Sequence, residues 1–398
     1  MATSRQVIDD LVRGRRAERV GLSGGPWTDT MVAWVEQGYP LQRVYRDAGE
    51  LRWRREDGRW AKAEIAGEYE EPVPPWQHFG YDMGGLELRP LTGADFVLEV
   101  FPQLGRDDLV EETAQWDVRR NGAGAAVKYW KHKMGTPEHI GYDMVTREVW
   151  ERDYRPHLVD LDPRRVKLER LRESLSACRE HGLFANVTHM FVWELMRQSM
   201  GDLTLYQSLL LDPGWVHDFC RVYTGFFRKH WSYILEHVGR PDAVWLCEDL
   251  GYKNGLFASP KVLAALVFPY YRELVTFFHG YDVPVILHTC GSVAEALPMI
   301  VEAGFDALNP IERKALNNDP FAFAEKYGDR LAFVGGLDAR VLESNDKELI
   351  QREVSAYIEG MKARGARLVF AEDHSISPNV GYVTYLYALQ VYRDHMWT

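Results

Sequence analysis

An imidazole and a thiol stand at the end of one apolar segment of the sequence, VPVILHTCG. They belong to His288 and Cys290, which are two positions apart, so in a β-strand they point to the same face. A histidine nitrogen and a cysteine thiolate are good zinc ligands, and the same pair could act as a general acid or base and a nucleophile. The position at a strand end favours these functional interpretations over a buried cysteine beside a hydrogen-bonded histidine.

Two adjacent carboxylates follow a second apolar segment, AVWLCEDLG. Neighbouring strand residues face opposite ways, so one of Glu248 and Asp249 is expected to enter the site. We predict that Glu248 is a metal ligand, a general acid or a base, and that Asp249 shares the catalytic role. A carboxylate that caps the next loop is the alternative. Cys247 is interpreted as a packed core thiol.

A third segment, RLVFAEDHSI, ends in two carboxylates and an imidazole. Glu372 and His374 are at positions i and i+2, with Asp373 between them. We predict that His374 is a third metal ligand or a second proton carrier, and that Glu372 and Asp373 contact the substrate. A polar loop held by local hydrogen bonds would give the same pattern.

Weaker candidates for substrate contact also fall at predicted strand ends. Gly336 would allow a substrate to approach the backbone closely, although a tight turn explains a glycine there equally well. A lone histidine such as His189 is more often structural. The predicted substrate contacts outside the third segment are Trp27, His189, Asn309, Glu312, Gly336 and Asp338.

An alternation of strand and helix patterns, running from about residue 165 onward, positions these residues. The predicted strands are Leu183–His189, Ala243–Asp249, Val283–Cys290, Ala307–Ile311, Leu331–Leu337 and Arg367–Ala371, with an earlier one near Arg19–Trp27. Amphipathic helices and short connections between them predict parallel strands. No GxGxxG or GxxxxGK[ST] turn supports the rival doubly wound sheet. The sequence therefore predicts an α/β fold, a (β/α)8 TIM barrel with its active site at the C-terminal ends of the strands.

Residues 45–160 interrupt this alternation with a charged, β-rich stretch. The segment LVEETAQWDVRRNGAGAAVKYWKH alternates as a strand does around Asn121-Gly122, which is a hairpin signal. We predict one barrel domain over residues 1–398, with an insertion or lid subdomain at about 45–160 between the first and second barrel strands. Such an insertion would cover the active site. The alternative is an insertion that has no part in catalysis.

The bulk composition excludes several classes of function. The 398-residue chain has a formal net charge of −11 and no basic tract, so it is a poor candidate for binding nucleic acid or an anionic membrane. It shows no apolar run of membrane-spanning length and no secretory signal pattern. Its four scattered cysteines do not indicate a disulfide framework. These features predict a cytoplasmic protein with no nucleic-acid or membrane partner.

Three segments in order resemble the uroporphyrinogen decarboxylase superfamily: HTCGSVAEALPMIVEAGFDALNPIE, FVGGLDARVL and FAEDHSISPNV. The likeness extends from about Leu183 to Arg393, and more faintly through SGGPWTDTMVAWVEQGYP. The superfamily contains the decarboxylase itself and cobalamin-dependent methyltransferases that act on methanol- and methylamine-derived methyl groups. The resemblance implies a (β/α)8 barrel with its site at the C-terminal mouth and, by analogy, a homodimer.

The same motifs separate the two activities. The decarboxylase holds its tetrapyrrole with an arginine-containing N-terminal loop, and the matching stretch GGPWTDTMVAW has no arginine. The methyltransferases carry a zinc-binding HxC, which His288 and Cys290 match. They also carry a further cysteine near the last strand, where this chain has the string EDH. The resemblance therefore implies a zinc site in which another group replaces that thiolate, and we expect Glu248 and His374 as the remaining ligands.

These features together predict a zinc-assisted methyltransferase that demethylates a small O- or N-methyl compound. The expected acceptor is a corrinoid on a separate partner protein, because no corrinoid-binding DxHxxG string is present. With one thiolate fewer, the metal would be a harder Lewis acid suited to an oxygen ligand. The alternative is a metal-independent decarboxylase or lyase acting on a small carboxylate or tetrapyrrole-like substrate. A non-catalytic binding protein is a third interpretation, which the concentration of ionisable groups at strand ends disfavours.

Overall fold

Eight strands form the central sheet of the computed structural model, which describes residues 2–56, 59–85, 97–131 and 137–398. Numbered along the chain, they are β1 (Gly21–Leu22), β4 (Met83–Gly85), β9 (Phe184–Met190), β10 (Ala243–Cys247), β13 (Val285–His288), β14 (Ala307–Asn309), β15 (Ala332–Val334) and β16 (Leu368–Phe370). The order in the sheet is β4-β9-β10-β13-β14-β15-β16-β1, and every neighbouring pair is parallel. The predicted α/β fold with a parallel sheet is confirmed.

Asp82 brings the two end strands of this sheet together. Its backbone N–H donates to the Leu22 carbonyl at 2.8 Å, and the Leu22 N–H donates to the Asp82 carboxylate at 2.7 Å. Arg19 donates two further hydrogen bonds to that carboxylate, at 2.7 and 2.6 Å. The sheet therefore curls until β1 faces β4, which is the shape of a TIM-barrel-type fold.

Helices precede, connect and follow the strands of the sheet. They are α1 (Ser4–Val12), α2 (Thr28–Glu36), α3 (Pro75–Phe79), α4 (Arg147–Val149), α5 (Leu168–Glu180), α6 (Val192–Leu211), α7 (Pro213–His237), α8 (Pro260–Leu266), α9 (Phe268–His279), α10 (Leu297–Ala303), α11 (Pro320–Tyr327), α12 (Ala339–Glu343), α13 (Lys347–Ala363) and α14 (Tyr382–His395). Short π and 3-10 turns follow α4 at Trp150–Tyr154, Arg155–Leu158 and Pro163–Arg165. None of the helices within the described ranges has the length and apolar character needed to cross a membrane.

The β-rich part of the chain lies in two separate connections of the sheet. A long hairpin, β2 (Leu41–Glu56) and β3 (Arg59–Pro72), precedes β4. A four-stranded antiparallel sheet follows β4; its strands are β5 (Asp107–Glu112), β6 (Trp116–Asn121), β7 (Ala125–Trp130) and β8 (Glu138–Tyr142). A small pair, β11 (Gly251–Tyr252) and β12 (Gly255–Leu256), follows β10.

The sequence placed all of this β-rich region between the first two sheet strands. The structure divides it, because β4 comes between the hairpin and the four-stranded sheet. A strand of only three residues, Met83-Gly84-Gly85, has no apolar run that could predict it. Residues 57–58, 86–96 and 132–136 of the predicted insertion lie outside the described ranges.

Apolar side chains fill the inside of the sheet at the end where its strands begin. This inner layer consists of Met83, Phe184, Ala243, Ile286, Ala307, Ala332, Val334 and Val369. Apolar residues of α1, among them Val7 and Leu11, pack beneath it. The interior is therefore closed at the N-terminal ends of the strands, which leaves the opposite end for a site.

Candidate functional site

Three side chains of different chemistry converge where β10 and β13 end. They are Asp249, His288 and Cys290, and one ligand atom from each lies within 4.8 Å of the other two. Nε2 of His288 is 3.4 Å from Sγ of Cys290 and 3.6 Å from Oδ1 of Asp249. Cys247 is in register with His288 across the two strands, so Asp249, two residues further on, extends along the same face. The structure thus brings together the histidine and cysteine of one strand and adds a carboxylate from the next.

The separations within this cluster fit a tetrahedral zinc ion. Zinc lies about 2.3 Å from a thiolate sulfur and about 2.0–2.2 Å from a nitrogen or carboxylate oxygen, which places two such ligands about 3.3–3.6 Å apart at tetrahedral angles. The distances from Nε2 of His288 to the sulfur and to the oxygen, 3.4 and 3.6 Å, are close to that spacing. Three protein ligands would leave one position open, which is the arrangement of catalytic zinc sites.

Asn309, at the end of β14, determines which imidazole nitrogen faces the cluster. Its Nδ2 donates to the Val334 carbonyl at 2.9 Å, so its Oδ1 is the atom that faces His288. Nδ1 of His288 therefore donates to this oxygen, over 2.6 Å. In the neutral ring this tautomer directs the lone pair of Nε2 at the other two groups, as a metal ligand requires.

Backbone contacts hold the loops that carry Asp249 and Cys290 against each other. The Cys290 N–H donates to Oδ1 of Asp249 at 2.9 Å, and Nε1 of Trp193 donates to the Asp249 carbonyl at 2.7 Å. Gly291 has a φ of 77°, and a Cβ there would lie 2.3 Å from the backbone of Gly251. Only glycine permits this close approach, so the HTCG string positions the ligands as well as supplying them.

Glu248 points away from the cluster and anchors the start of α6. Its carboxylate accepts hydrogen bonds from the backbone N–H groups of Phe191, Trp193 and Glu194, at 2.6, 2.7 and 3.2 Å, and from the Tyr271 hydroxyl at 2.6 Å. Complete burial raises the pKa of Glu248 to about 8. The structure therefore does not place Glu248 where it could act as a metal ligand or proton carrier, contrary to the sequence-based prediction. Of the two adjacent carboxylates, it is Asp249 that points into the cluster.

Glu194 is a second, largely buried acid beside the site, and sequence reasoning missed it. Burial raises its pKa to about 7, and the nearby charge of Asp249 contributes to the rise, while Arg197 opposes it. Arg197 pairs with Glu194 at 2.6 Å and with Asp202 at 2.8 Å. The position of Glu194 shortly after a strand end, in the string THMFVWE, could have marked it as a candidate site residue. The helix pattern that begins there indicates instead an ordinary carboxylate in the first turn of a helix.

The Cys290 thiol lies in the field of two carboxylates, those of Asp249 and Glu312. Burial raises the pKa of Cys290 far above its usual value, and the charges of the two carboxylates raise it further. The thiol keeps its proton in this environment. A zinc ion would reverse the preference, since a thiol that coordinates a metal is deprotonated.

The carboxylates that follow β16 serve other purposes. Glu372 is buried near Tyr385 of α14; burial raises the pKa of Glu372 to about 7, and Tyr385 opposes the rise. Asp373 accepts hydrogen bonds from the backbone N–H groups of Arg313 and Ala339, at 3.1 and 3.0 Å. The structure places neither side chain in the cluster, and Asp373 instead ties together three neighbouring loops.

His374 stands on the rim of the mouth, outside the cluster. It is exposed, its Nδ1 lies 3.5 Å from the Ser375 carbonyl, and its ring meets that of Trp27 edge-on with centroids 5.8 Å apart. The Trp27 N–H donates to the Ile376 carbonyl, which holds the two rim loops together. His374 therefore does not join His288 as a second imidazole ligand, contrary to the sequence-based expectation, because the chain turns outward after Asp373.

The surroundings of three other predicted substrate contacts, His189, Gly336 and Asp338, indicate structural roles. His189 is buried between the sheet and α7, beside the rings of Phe227 and Trp231, and burial lowers its pKa to about 3. Gly336 has a φ of 103°, and a Cβ there would meet the Tyr357 hydroxyl at 2.5 Å. Asp338 accepts from the Arg340 N–H at the start of α12 and pairs with its guanidinium.

The inside of the sheet is open to solvent just below the cluster. Thr188, Met190, Trp245 and Cys247 alternate with fully buried, helix-facing residues and are themselves partly exposed. Cys247, expected in the core, thus lines the opening. Sequence reasoning missed Met190 and Trp245 because an inward-facing apolar residue has the same pattern whether it lines a cavity or fills a core.

Comparisons with known proteins agree with this geometry. A family model described as Uroporphyrinogen decarboxylase (URO-D) matches residues 192–391, about half of the chain, and this region contains all three residues of the cluster. A solved structure of a methyltransferase from Methanosarcina mazei superimposes with a TM-score of 0.62 at 15% sequence identity, covering 99% of both chains. At that identity the likeness shows a shared fold. No curated protein matches the sequence.

Proposed function

Because the chain belongs to the uroporphyrinogen decarboxylase (URO-D) family, as its motifs predict, we propose that it is a methyltransferase-type member of that family. The observation that carries the proposal is the cluster of Asp249, His288 and Cys290, whose donor atoms and spacing suit a catalytic zinc ion. The stretch GGPWTDTMVAW, without the arginine that the decarboxylases use, supports the same choice. The fold shared with a methyltransferase from Methanosarcina mazei is consistent with it.

A zinc ion held by these three residues would supply Lewis acidity that draws electrons from the atom carrying the substrate's methyl group. The donor set contains one thiolate, one imidazole and one carboxylate. It is harder than a set with two thiolates, so it suits an oxygen substituent best and a nitrogen substituent next. We therefore propose a small O-methyl or N-methyl compound as the methyl donor.

The chain's own residues would orient both the metal and the substrate. Asn309 fixes Nε2 of His288 toward the cluster, and Trp193 holds the backbone of Asp249. The opening below the cluster, with Met190 and Trp245 on its wall, would hold the demethylated part of the substrate. The methyl group would then point outward, toward the rim.

We propose that the methyl acceptor is a corrinoid carried by a separate protein. The cluster lies at the end of the sheet where the strands finish, so an acceptor can reach it only from the rim. No DxHxxG string for corrinoid binding occurs in the chain. The proposed acceptor would approach from the rim and leave with the methyl group.

A corrinoid methylation assay tests this function. The zinc-loaded protein is mixed with a reduced Co(I) corrinoid and a panel of O-methyl and N-methyl compounds, and formation of the methylated corrinoid is followed by its visible spectrum. We expect methylation with at least one donor, and its loss in Cys290→Ser. The matched control is Cys178→Ser, which removes a buried thiol of α5 far from the cluster.

The same protein preparations distinguish the alternative activity, which is that of a decarboxylase. A metal-free protein that releases CO2 from a carboxylate or tetrapyrrole substrate, and methylates no corrinoid with any donor, would identify a decarboxylase. Corrinoid methylation at an undiminished rate in Cys290→Ser would show that the proposed reaction takes place but does not depend on the proposed metal site.

A further inference from the structure

Three polar side chains on the inner face of the sheet have no hydrogen-bond partner among the residues that the structure describes. They are the amide of Asn186, the hydroxyl of Thr188 and the indole N–H of Trp245. Asn186 is only 6% exposed. Folded proteins pair nearly all of their buried polar groups, because an unpaired one is costly. These three groups, called the pocket floor below, are therefore available to a ligand.

The register of the strands places the pocket floor between the apolar inner layer and the metal cluster. Asn186 is paired with Ala243 of the inner layer, and Thr188 is paired with Trp245, which packs against that layer. Trp245 precedes by two residues the position of β10 that is in register with His288, so it lies about 7 Å below His288 along the strand. Asn186 lies two residues deeper. The pocket floor thus closes the opening below the cluster.

The pocket floor faces the open interior of the sheet and not the packed core. Thr188 and Trp245 are partly exposed, although both point inward. The ring nitrogens of His189, which points outward toward α7, are sealed from solvent, whereas the polar atoms of the pocket floor are not. A ligand that enters from the mouth can therefore reach all three groups.

The chemistry of the pocket floor suits an uncharged oxygen-bearing group. The indole N–H only donates a hydrogen bond, while the amide of Asn186 and the hydroxyl of Thr188 can each donate and accept. Along β9 and β10 the inward-facing residues include no arginine or lysine; they are Phe184, Asn186, Thr188, Met190, Ala243, Trp245 and Cys247. A carboxylate bound there would be buried without a countercharge from these strands, which is costly. A hydroxyl or a carbonyl group carries no such penalty.

We propose that the pocket floor binds an uncharged oxygen-bearing group, a hydroxyl or a carbonyl, at the far end of the methyl donor. This inference rests on the proposed methyl transfer and narrows the class of donor. The donor carries its methyl group on an oxygen or nitrogen at the cluster, and a second polar group on the order of 7 Å away. A donor without that second group leaves buried polar side chains unpaired, so the site discriminates against it.

The binding of matched compounds tests this inference. Isothermal titration calorimetry is carried out on the full-length protein, with and without zinc and always without corrinoid, so that no methyl transfer takes place. An aromatic series consists of para-methoxyphenol, para-methylanisole and para-methoxybenzoate, which carry a hydroxyl, a methyl and a carboxylate at the same position. A straight-chain series consists of methoxybutanol, methoxypentane and methoxypentanoate, each with its methoxy group at one end. In at least one series we expect the hydroxyl compound to bind at least about tenfold more tightly than the other two.

Two variants remove polar atoms of the pocket floor while keeping the shape of the side chains. In Asn186→Leu and in Thr188→Val we expect the preferred hydroxyl compound to bind about tenfold more weakly, and its methyl counterpart to bind as tightly as before or more tightly. The free energy of unfolding should not fall, because neither side chain has a protein partner to lose. The matched control is Thr224→Val, which removes a hydroxyl that donates to the Cys220 carbonyl within α7, at 2.7 Å. It should leave both affinities unchanged.

The outcomes distinguish this inference from the function on which it rests. Hydroxyl compounds that bind no more tightly than their methyl counterparts in both series would overturn the role of the pocket floor, and so would an unchanged preference in both variants. Tightest binding of a carboxylate would overturn the choice of an uncharged group. A protein that shows the expected preference but methylates no corrinoid would keep the pocket floor and overturn the proposed reaction.

Discussion

Asn309 accepts a hydrogen bond from Nδ1 of His288 at 2.6 Å while it donates from Nδ2 to the Val334 carbonyl at 2.9 Å. This chain links the ends of three neighbouring strands, β13, β14 and β15. It fixes both the orientation of the amide and the tautomer of the imidazole, and so directs the free nitrogen at Asp249 and Cys290. The ligand geometry is therefore determined by a residue that would not touch the metal.

Removing this hydrogen bond should weaken metal binding. In Asn309→Ala the imidazole loses its acceptor, and we expect zinc affinity to fall by about 10- to 100-fold. Asn309→Asp keeps an oxygen at the same place and should retain most of the affinity. Competition with a chromophoric chelator measures both variants. Equal affinities for Asn309→Ala and the unaltered protein would show that the hydrogen bond has no part in positioning His288.

The adjacent carboxylates Glu248 and Asp249 should respond to substitution in opposite ways. Glu248→Ala leaves three backbone N–H groups and the Tyr271 hydroxyl without their acceptor, so we expect a loss of about 3–5 kcal/mol in the free energy of unfolding. Asp249→Asn should lower zinc affinity with little change in stability. Urea unfolding and zinc analysis, carried out on both variants, give the comparison. Zinc loss in both with equal stability would contradict the division of roles.

The buried imidazole of His189 should make the fold sensitive to acid. Burial lowers the pKa of His189 to about 3, whereas an unburied histidine titrates near 6.5. Below pH 6.5 the unfolded chain binds a proton that the folded chain cannot, so stability falls as the pH falls toward 3, by up to about 1.4 kcal/mol per pH unit. Between pH 6.5 and pH 5 this amounts to about 2 kcal/mol. The loss should be smaller by that amount in His189→Phe.

Urea unfolding at the two pH values measures this difference. The variant keeps an aromatic ring between Phe227 and Trp231, so its packing changes little and the comparison isolates the titration. If His189→Phe loses stability with falling pH as steeply as the unaltered protein, other groups are responsible for the acid sensitivity.

The stability of the sheet should depend strongly on the contact between β1 and β4 that Asp82 makes. Asp82 accepts hydrogen bonds from Arg19 and from the Leu22 N–H, and its side chain is almost completely buried. Asp82→Ala leaves the Arg19 guanidinium without its partner, and we expect a loss of about 3–5 kcal/mol in the free energy of unfolding. Arg43→Ala breaks the exposed pair with Glu70 and should change it by less than about 1 kcal/mol. Similar losses in the two variants would mean that Asp82 does not join the strands as described.

Local sequence patterns predicted those parts of the site that depend on one strand. The alternation of a β-strand places His288 and Cys290 on one face, and it also requires that only one of Glu248 and Asp249 enters the mouth. Which of the two enters depends on the register of β10 within the sheet, and that register is set by packing against neighbouring strands and helices. The sequence alone could not supply it.

Residues beyond the strand ends were harder to predict, because loops do not follow a strand's alternation. His374 was expected to continue the inward pattern of β16, but Asp373 binds two other loops and the chain then turns outward to the rim. Glu312 and Glu194 come close to the cluster only through the fold, from the loop after β14 and from the first turn of α6. Their roles depend on contacts between segments that are distant in the sequence.

The central claim is that Asp249, His288 and Cys290 hold a catalytic zinc ion, and zinc content tests it most directly. The protein is stripped with a chelator, reloaded, dialysed and analysed by atomic emission, beside Cys290→Ser, Asp249→Asn and the control Cys178→Ser. We predict about one zinc per chain in the unaltered protein and in Cys178→Ser, and little or none in the other two variants. A folded protein that retains no zinc after reloading, or equal zinc in all four proteins, would contradict the account.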